Sequence, residues 1–143
     1  MKINETFVEK ILIAFIKEEL AKRGFKKAVL GLSGGVDSSV CAALAARALG
    51  PKNVIGFRLP YGKGYGSDFE DAADVAAGLK ISLRTIDIAP MVDAYFKNHP
   101  TDKRLLKGNK MARERMAILY DQSAREKALI LGTSNKTELL IGY

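Results

Sequence analysis

The stretch Ala28-Val29-Leu30-Gly31-Leu32-Ser33-Gly34-Gly35-Val36-Asp37-Ser38-Ser39 decides the fold. An apolar run, 28–32, leads into a glycine-rich turn and then into an alanine-rich segment, 38–49, that reads as a helix closing at Gly50-Pro51. Strand, turn and helix are the first parts of a parallel βαβ unit. The pattern repeats downstream: a second strand at 54–59, a glycine-rich and proline-rich loop at 60–67, and a helix from Asp68 to about Leu79. Residues 81–88 alternate as a third strand, and a short helix over 91–96 is broken by His99-Pro100. A basic loop precedes a long helical pattern at about 109–127, then a fourth strand at 128–131 and a helix over 135–141. Upstream, Phe7, Val8, Ile11, Leu12, Phe15, Ile16 and Leu20 recur at helical spacing, a wide apolar face that Gly24 ends. Parallel neighbours need crossovers, and the crossovers cover the sheet. The expectation is an α/β fold, a doubly wound parallel sheet. Its ligands would bind beyond the carboxyl ends of the strands, at 33–39, 60–67, past Ile88, and at 133–138.

A chain of 143 residues fits one domain. With 48% apolar and 27% charged residues it is neither disordered nor fibrous. Cys41 is the single cysteine, which excludes an internal disulfide and suggests a reducing, cytoplasmic setting. No Cys/His cluster points to zinc, so a metal would be held by oxygen. Glu9, Lys10, Lys17, Glu18 and Glu19 interrupt the first apolar segment, which argues against a signal peptide or a membrane span. The net charge is +7, and Lys103, Arg104, Lys107, Lys110, Arg113 and Arg115, set against Asp102 and Glu114, supply four of those charges. Such concentration fits a local anion site better than a nucleic-acid surface. The chain stops a few residues into its last helix, so residues 1–143 read as one domain cut short on its C-terminal side.

The turn at 33–39 carries the chemistry. Adjacent Gly34 and Gly35 allow positive φ and close approach of N–H groups to an anion, and the following helix adds its positive dipole end. It is a phosphate cradle with neither the Walker spacing nor the Gly-x-Gly-x-x-Gly signature. Ser33, Ser38 and Ser39 can donate to phosphate oxygens. Asp37 reads either as a helix N-cap or, because a carboxylate would repel a bound phosphate, as a ligand to a cation between them.

Ser33-Gly34-Gly35-Val36-Asp37-Ser38 after a strand resembles the loop of the N-type ATP pyrophosphatases, which split ATP between its α and β phosphates. GMP synthetases, asparagine synthetases, tRNA-thiolating enzymes and NAD synthetases share it. Three further segments choose among them: Arg58-Leu59-Pro60-Tyr61-Gly62, Lys107-Gly108-Asn109 leading to Ala112-Arg113-Glu114-Arg115-Met116, and Gly132-Thr133-Ser134-Asn135-Lys136-Thr137-Glu138. Together they resemble the ammonia-dependent NAD synthetases, from the N-terminal helix to Tyr143. The resemblance implies an adenine-nucleotide α-hydrolase-like, Rossmann-like fold of three α/β/α layers.

It also implies roles. Gly31, Leu32, Ser33, Gly34, Gly35, Val36, Asp37 and Ser38 would hold ATP phosphates, Arg58 and Leu59 would lie by adenine and ribose, and Thr133 would bind ATP. Asp37 and Glu138 would ligate Mg²⁺, and Arg113 would bind deamido-NAD. Tyr120, two helical turns after Arg113, could line the nicotinate pocket. Structural alternatives stand beside these: a helix-surface Glu138, a capping Thr133, strand-end residues Arg58 and Leu59, and a solvated Arg113. His99 reads as a loop residue and Cys41 as packing. The implied reaction is adenylation of the nicotinate carboxylate by ATP with loss of pyrophosphate, then attack by ammonia with loss of AMP, giving NAD without a protein nucleophile. Nothing upstream of the first helix reads as a glutaminase, so free ammonia or a separate donor is expected. A homodimer is implied, its interface using the apolar face of that helix. The alternatives are another ATP-pyrophosphatase-type enzyme, including a tRNA-modifying one, or a non-catalytic adenine-nucleotide-binding module.

Overall fold

The computed structural model describes residues 4–62 and 67–140. Helix α1 (Glu5–Lys22) leads into β1 (Ala28–Gly31), α2 (Val36–Leu49), a 3₁₀ turn (Pro51–Asn53) and β2 (Val54–Arg58). Then follow α3 (Ser67–Leu79), β3 (Ser82–Thr85), α4 (Ala89–Asn98), α5 (Arg104–Glu126), β4 (Leu129–Ile130) and α6 (Lys136–Leu140). All pairings are parallel and the strand order is β3-β2-β1-β4. The chain therefore lays strands outward from β1 to β3, then returns to the other side of β1 to form β4. That reversal puts the topological switch point between β1 and β4, where the two following loops diverge to opposite faces.

Alternation along the strands builds a core on each face. Leu30, Leu32 and Val54 pack under α2 and α3 with Ala42, Ala45, Ala72 and Ala76. Val29, Ile55 and Phe57 face Ile88, Val92 and Leu119 of the α4 and α5 layer. Small residues on α2 let that helix lie close to the sheet. Gly56 serves the same purpose on β2, since a Cβ there would stand 3.3 Å from Leu32 Cδ2. Each fully buried Leu, Val or Phe contributes roughly 1.5–3 kcal/mol of transfer free energy. The expected three-layer α/β/α sheet is the fold observed.

Three expectations change in detail. α5 begins at Arg104, so residues 104–108, expected in the basic loop ahead of a helix from about Asn109, are already helical; Lys, Arg and Leu are strong helix formers and absorb the roughly 1 kcal/mol cost of Gly108. β3 covers only Ser82–Thr85, although Ile86 N and Ile88 N still donate to Arg58 O and Pro60 O. α2 begins at Val36 with Gly35 at its N-cap, so Asp37 stands in the first turn and does not cap. On α1, Ile16 and Leu20 are buried, while Phe7, Val8, Ile11, Leu12 and Phe15 are exposed. Residues 63–66 of the expected loop and 141 of the expected last helix lie outside the described residues. No helix among those described is long and apolar enough to cross a membrane.

Candidate active site

The β1–α2 turn is closed by its own serines. Ser38 is 5% exposed, and its hydroxyl donates to Gly35 O at 2.9 Å while accepting from Ser33 N at 3.3 Å. That leaves Ser33 Oγ to donate to Ser38 Oγ at 3.1 Å and to accept from Gly35 N at 3.3 Å. Ser39 Oγ also donates to Gly35 O, at 2.9 Å. Gly34 sits at φ 90°, a conformation open to glycine at no steric cost. The turn is therefore held by its own hydrogen bonds, and the first turn of α2, whose N–H groups have no partner within a helix, stands at its lip. Leu32, by contrast, is 1% exposed and belongs to the core.

Across the switch point, the β4–α6 loop lies against the start of α2. Asn135 Nδ2 donates to Asp37 Oδ2 at 3.1 Å. The same asparagine caps α6: Glu138 N donates to Asn135 Oδ1 at 3.0 Å, and Asn135 N donates to Glu138 Oε2 at 3.1 Å. This is a capping box. Asp37 and Glu138, 101 residues apart in the chain, thus both hold onto Asn135, and neither forms an ion pair with a described residue. Thr133 is half-buried in the same loop. Cys41, one turn beyond Asp37, packs its thiol toward Gly132 O at 3.9 Å. Burial first, and the Asp37 charge second, push that thiol above the usual cysteine range, which keeps it in the unreactive protonated form.

At the end of β2, Arg58 donates through Nε and Nη2 to Thr85 Oγ1 at 3.1 and 3.0 Å. Leu59 is 8% exposed, packed with Ile88, Val92 and Leu119. Beyond it, Gly62 N and Ala89 N both donate to Asp87 Oδ1 at 2.8 Å. The Tyr61 hydroxyl donates to Asp93, and that hydrogen bond holds the phenol above its ordinary pKa.

Arg113 is exposed on α5 and lines an open groove of about 640 Å³ with Tyr95, Phe96, His99, Asn109 and Lys110. Lys110 Nζ lies 5.0 Å from the centre of the Tyr95 ring and 2.7 Å from Glu114 Oε2. Tyr95 in turn stacks on His99 with ring centres 4.8 Å apart. Tyr120 is 66% exposed and does not line this groove. The structure thus gathers the 33–38 turn, Asp37 and Glu138 in one place, sets Arg58 and Leu59 on the neighbouring strand end, and gives Arg113 a groove of its own.

A family model described as NAD synthase matches residues 8–143. The chain belongs to the NAD synthase family. The resemblance drawn from its four motif segments is borne out. The chain is 48% identical over 143 residues to the NH(3)-dependent NAD(+) synthetase of Fusobacterium nucleatum, covering all of this chain and 55% of that relative. The solved NH3-dependent NAD synthetase of Campylobacter jejuni matches 99% of this chain and 62% of its own, with a TM-score of 0.94 and 37% identity. The solved NMN synthetase of Francisella tularensis matches 99% of this chain and 59% of its own, with a TM-score of 0.90 and 29% identity. The chain spans about half the length of the curated relatives it matches.

Asn135 and Arg115 are the site residues that the sequence reading left without a role. Asn135 had a local signal, since an Asn followed three residues later by Glu is a capping pattern. Arg115 had none: its Nε donates to Leu59 O at 2.8 Å, 56 residues away.

Proposed function

We propose that this chain converts deamido-NAD to NAD with ammonia at the expense of ATP, which the carboxyl ends of its strands would bind. A carboxylate resists an amine because its charge repels the nucleophile and its oxygen leaves poorly. Transfer of AMP from ATP to the nicotinate carboxylate, with release of pyrophosphate, removes both obstacles; ammonia then displaces AMP. The observation that supports the reading is the meeting of a self-bonded glycine and serine turn with Asp37 and Glu138 at the switch point of the sheet.

The 33–38 turn would bind the ATP phosphates through backbone N–H groups, and the end of β2 at Arg58 and Leu59 would adjoin the nucleoside. Thr133 would contact ATP from the opposite loop. Preorganised donors of this kind stabilise developing charge without reorganising during the reaction. Arg113 would grip an anionic group of deamido-NAD, a guanidinium being suited to bidentate contact with phosphate or carboxylate. Its groove, rich in rings, would suit a flat substrate better than Tyr120 alone. Asp37 and Glu138 fit Mg²⁺, which favours oxygen ligands and commonly takes one or two carboxylates with phosphates completing its shell. When bound, the ion would neutralise charge on the triphosphate.

The exposed face of α1 at Phe7, Val8, Ile11, Leu12 and Phe15 supports a homodimer in which a second copy covers it. A cytoplasmic setting fits the family and the single thiol.

The test is incubation with ATP, Mg²⁺, ammonium and deamido-NAD, following AMP and NAD by chromatography. Equimolar AMP and NAD are expected. Product from nicotinate mononucleotide in place of the dinucleotide would reassign the substrate, and AMP formed only with tRNA would reassign the reaction. ATP binding without product in any arm would leave a nucleotide-binding module.

A further inference from the structure

Beyond Leu32, β1 and β2 part company. Leu32 N donates to Phe57 O at 2.9 Å, the last bond of their ladder. In a parallel pair the next β1 amide to donate would be that of Gly34, two residues on, and its acceptor on β2 would be Leu59 O. Gly34 has already turned away into the phosphate turn at φ 90°, opening the crevice. On the other side of β2 the acceptors are taken by backbone, Arg58 O by Ile86 N at 3.0 Å and Pro60 O by Ile88 N at 2.8 Å. Leu59 O is the acceptor the opening leaves behind, and the half-buried side chain of Arg115 supplies its donor.

That bond has a consequence for α5. Leu119, one turn further along the helix, rests against Gly31 of β1, its Cδ1 3.6 Å from where a Cβ would stand. Arg115 and Leu119 therefore pin one face of α5 to the carboxyl ends of β2 and β1. Arg113, two residues before Arg115, is turned to the groove instead.

We propose that Arg115 is a positioning residue for the reaction between two nucleotides: its bond to the Leu59 carbonyl registers the Arg113 helix against the ATP-binding ends of β1 and β2. This rests on the function proposed above. A reaction between two bound substrates depends on their mutual alignment, and a displacement of about 1 Å can cost about 100-fold in rate. The side chain would act without touching either substrate.

Two substitutions separate the bond from the charge. In Arg115→Gln the amide nitrogen occupies the same place along the side chain as the arginine Nε, so a donor to Leu59 O is kept while the charge is lost. Arg115→Met keeps the length and has no donor. The measurements are kcat and both KM values for AMP release from ATP with deamido-NAD and ammonium, alongside thermal melting. The expected result is a fall in kcat of roughly 100-fold for Arg115→Met with KM values little changed, and recovery of most of that loss in Arg115→Gln. Equal kcat in wild type and Arg115→Met would overturn the proposal. So would equal losses in the two variants, or a loss expressed in KM, because either would make the charge the contributor. A wild-type chain that releases no AMP would sink the functional reading first and this inference with it; a wild-type chain that turns over while Arg115→Met matches it sinks the inference alone.

Discussion

At the amino ends of the strands, Glu126 accepts from Arg84 at 2.6 Å and stands 4.0 Å from Lys27, joining the end of α5 to β3 and to the approach to β1. At the carboxyl ends, Asp37 and Glu138 receive hydrogen bonds from Asn135 and form no ion pair with a described residue. An amide orients a carboxylate without neutralising it, whereas a guanidinium or ammonium does both. The lower rim uses its charges to tie elements together; the upper rim orients Asp37 and Glu138 without an ion pair to a described residue. The same division applies to cations: Arg84 is paired within the fold, and Arg113 faces a groove.

Substituting at the upper rim should sharpen this difference most. Asp37→Asn keeps the shape of the side chain and removes its charge. Its melting should stay within about 0.5 kcal/mol of wild type, as for exposed positions generally. Mg²⁺-dependent affinity for ATP should fall at least ~10-fold, since even the outer partners of metal ligands are worth that much. Calorimetric titration with ATP, with Mg²⁺ and with chelator, measures both terms. If the two proteins bind alike with Mg²⁺, Asp37 is a surface carboxylate and the contrast between the rims fails. The lower rim predicts the reverse pattern at smaller scale. Glu126→Gln should lower stability by about 0.5–1 kcal/mol, the scale of a partly exposed pair, and leave ATP affinity unaltered. A loss of ATP binding in that variant would mean the rims communicate through α5.

How much of this could be read from the chain depended on range. The apolar run at 28–32, the strand at 54–59 and the glycine turn between strand and helix are local, and they placed the sheet, its parallel sense and the turn at 33–39. The start of α5 was misplaced because the basic segment after His99-Pro100 read as a loop up to about Asn109, while the observed helix already begins at Arg104. The apolar periodicity of α1 was legible, but periodicity states which face is apolar and not what covers it, and Phe7, Ile11 and Phe15 are uncovered here. Asp37 and Glu138 were paired by the family resemblance; their common contact is an asparagine that only coordinates could put between them. The bond from Arg115 to a backbone carbonyl left no trace in composition or spacing.

The smallest expected effect concerns Glu19, near the end of α1 where the chain turns toward β1. Arg23 first, and Lys22 second, hydrogen-bond its carboxylate and hold it below the usual glutamate range. A carboxyl whose pKa is depressed by folding adds stability above its unfolded pKa, and that increment disappears as pH falls through the folded value. The gap in melting temperature between wild type and Glu19→Gln should therefore be present at neutral pH, begin to close near pH 4, where an unfolded glutamate takes up its proton, and vanish in stronger acid. Salt at about 1 M should shrink it as well, because exposed pairs are screened. Melting curves from neutral pH to about pH 3, at low and high salt, provide the check. A gap that persists unchanged in acid would assign the effect to helix packing, and the charges of the lower rim would then owe less to pairing than their geometry implies.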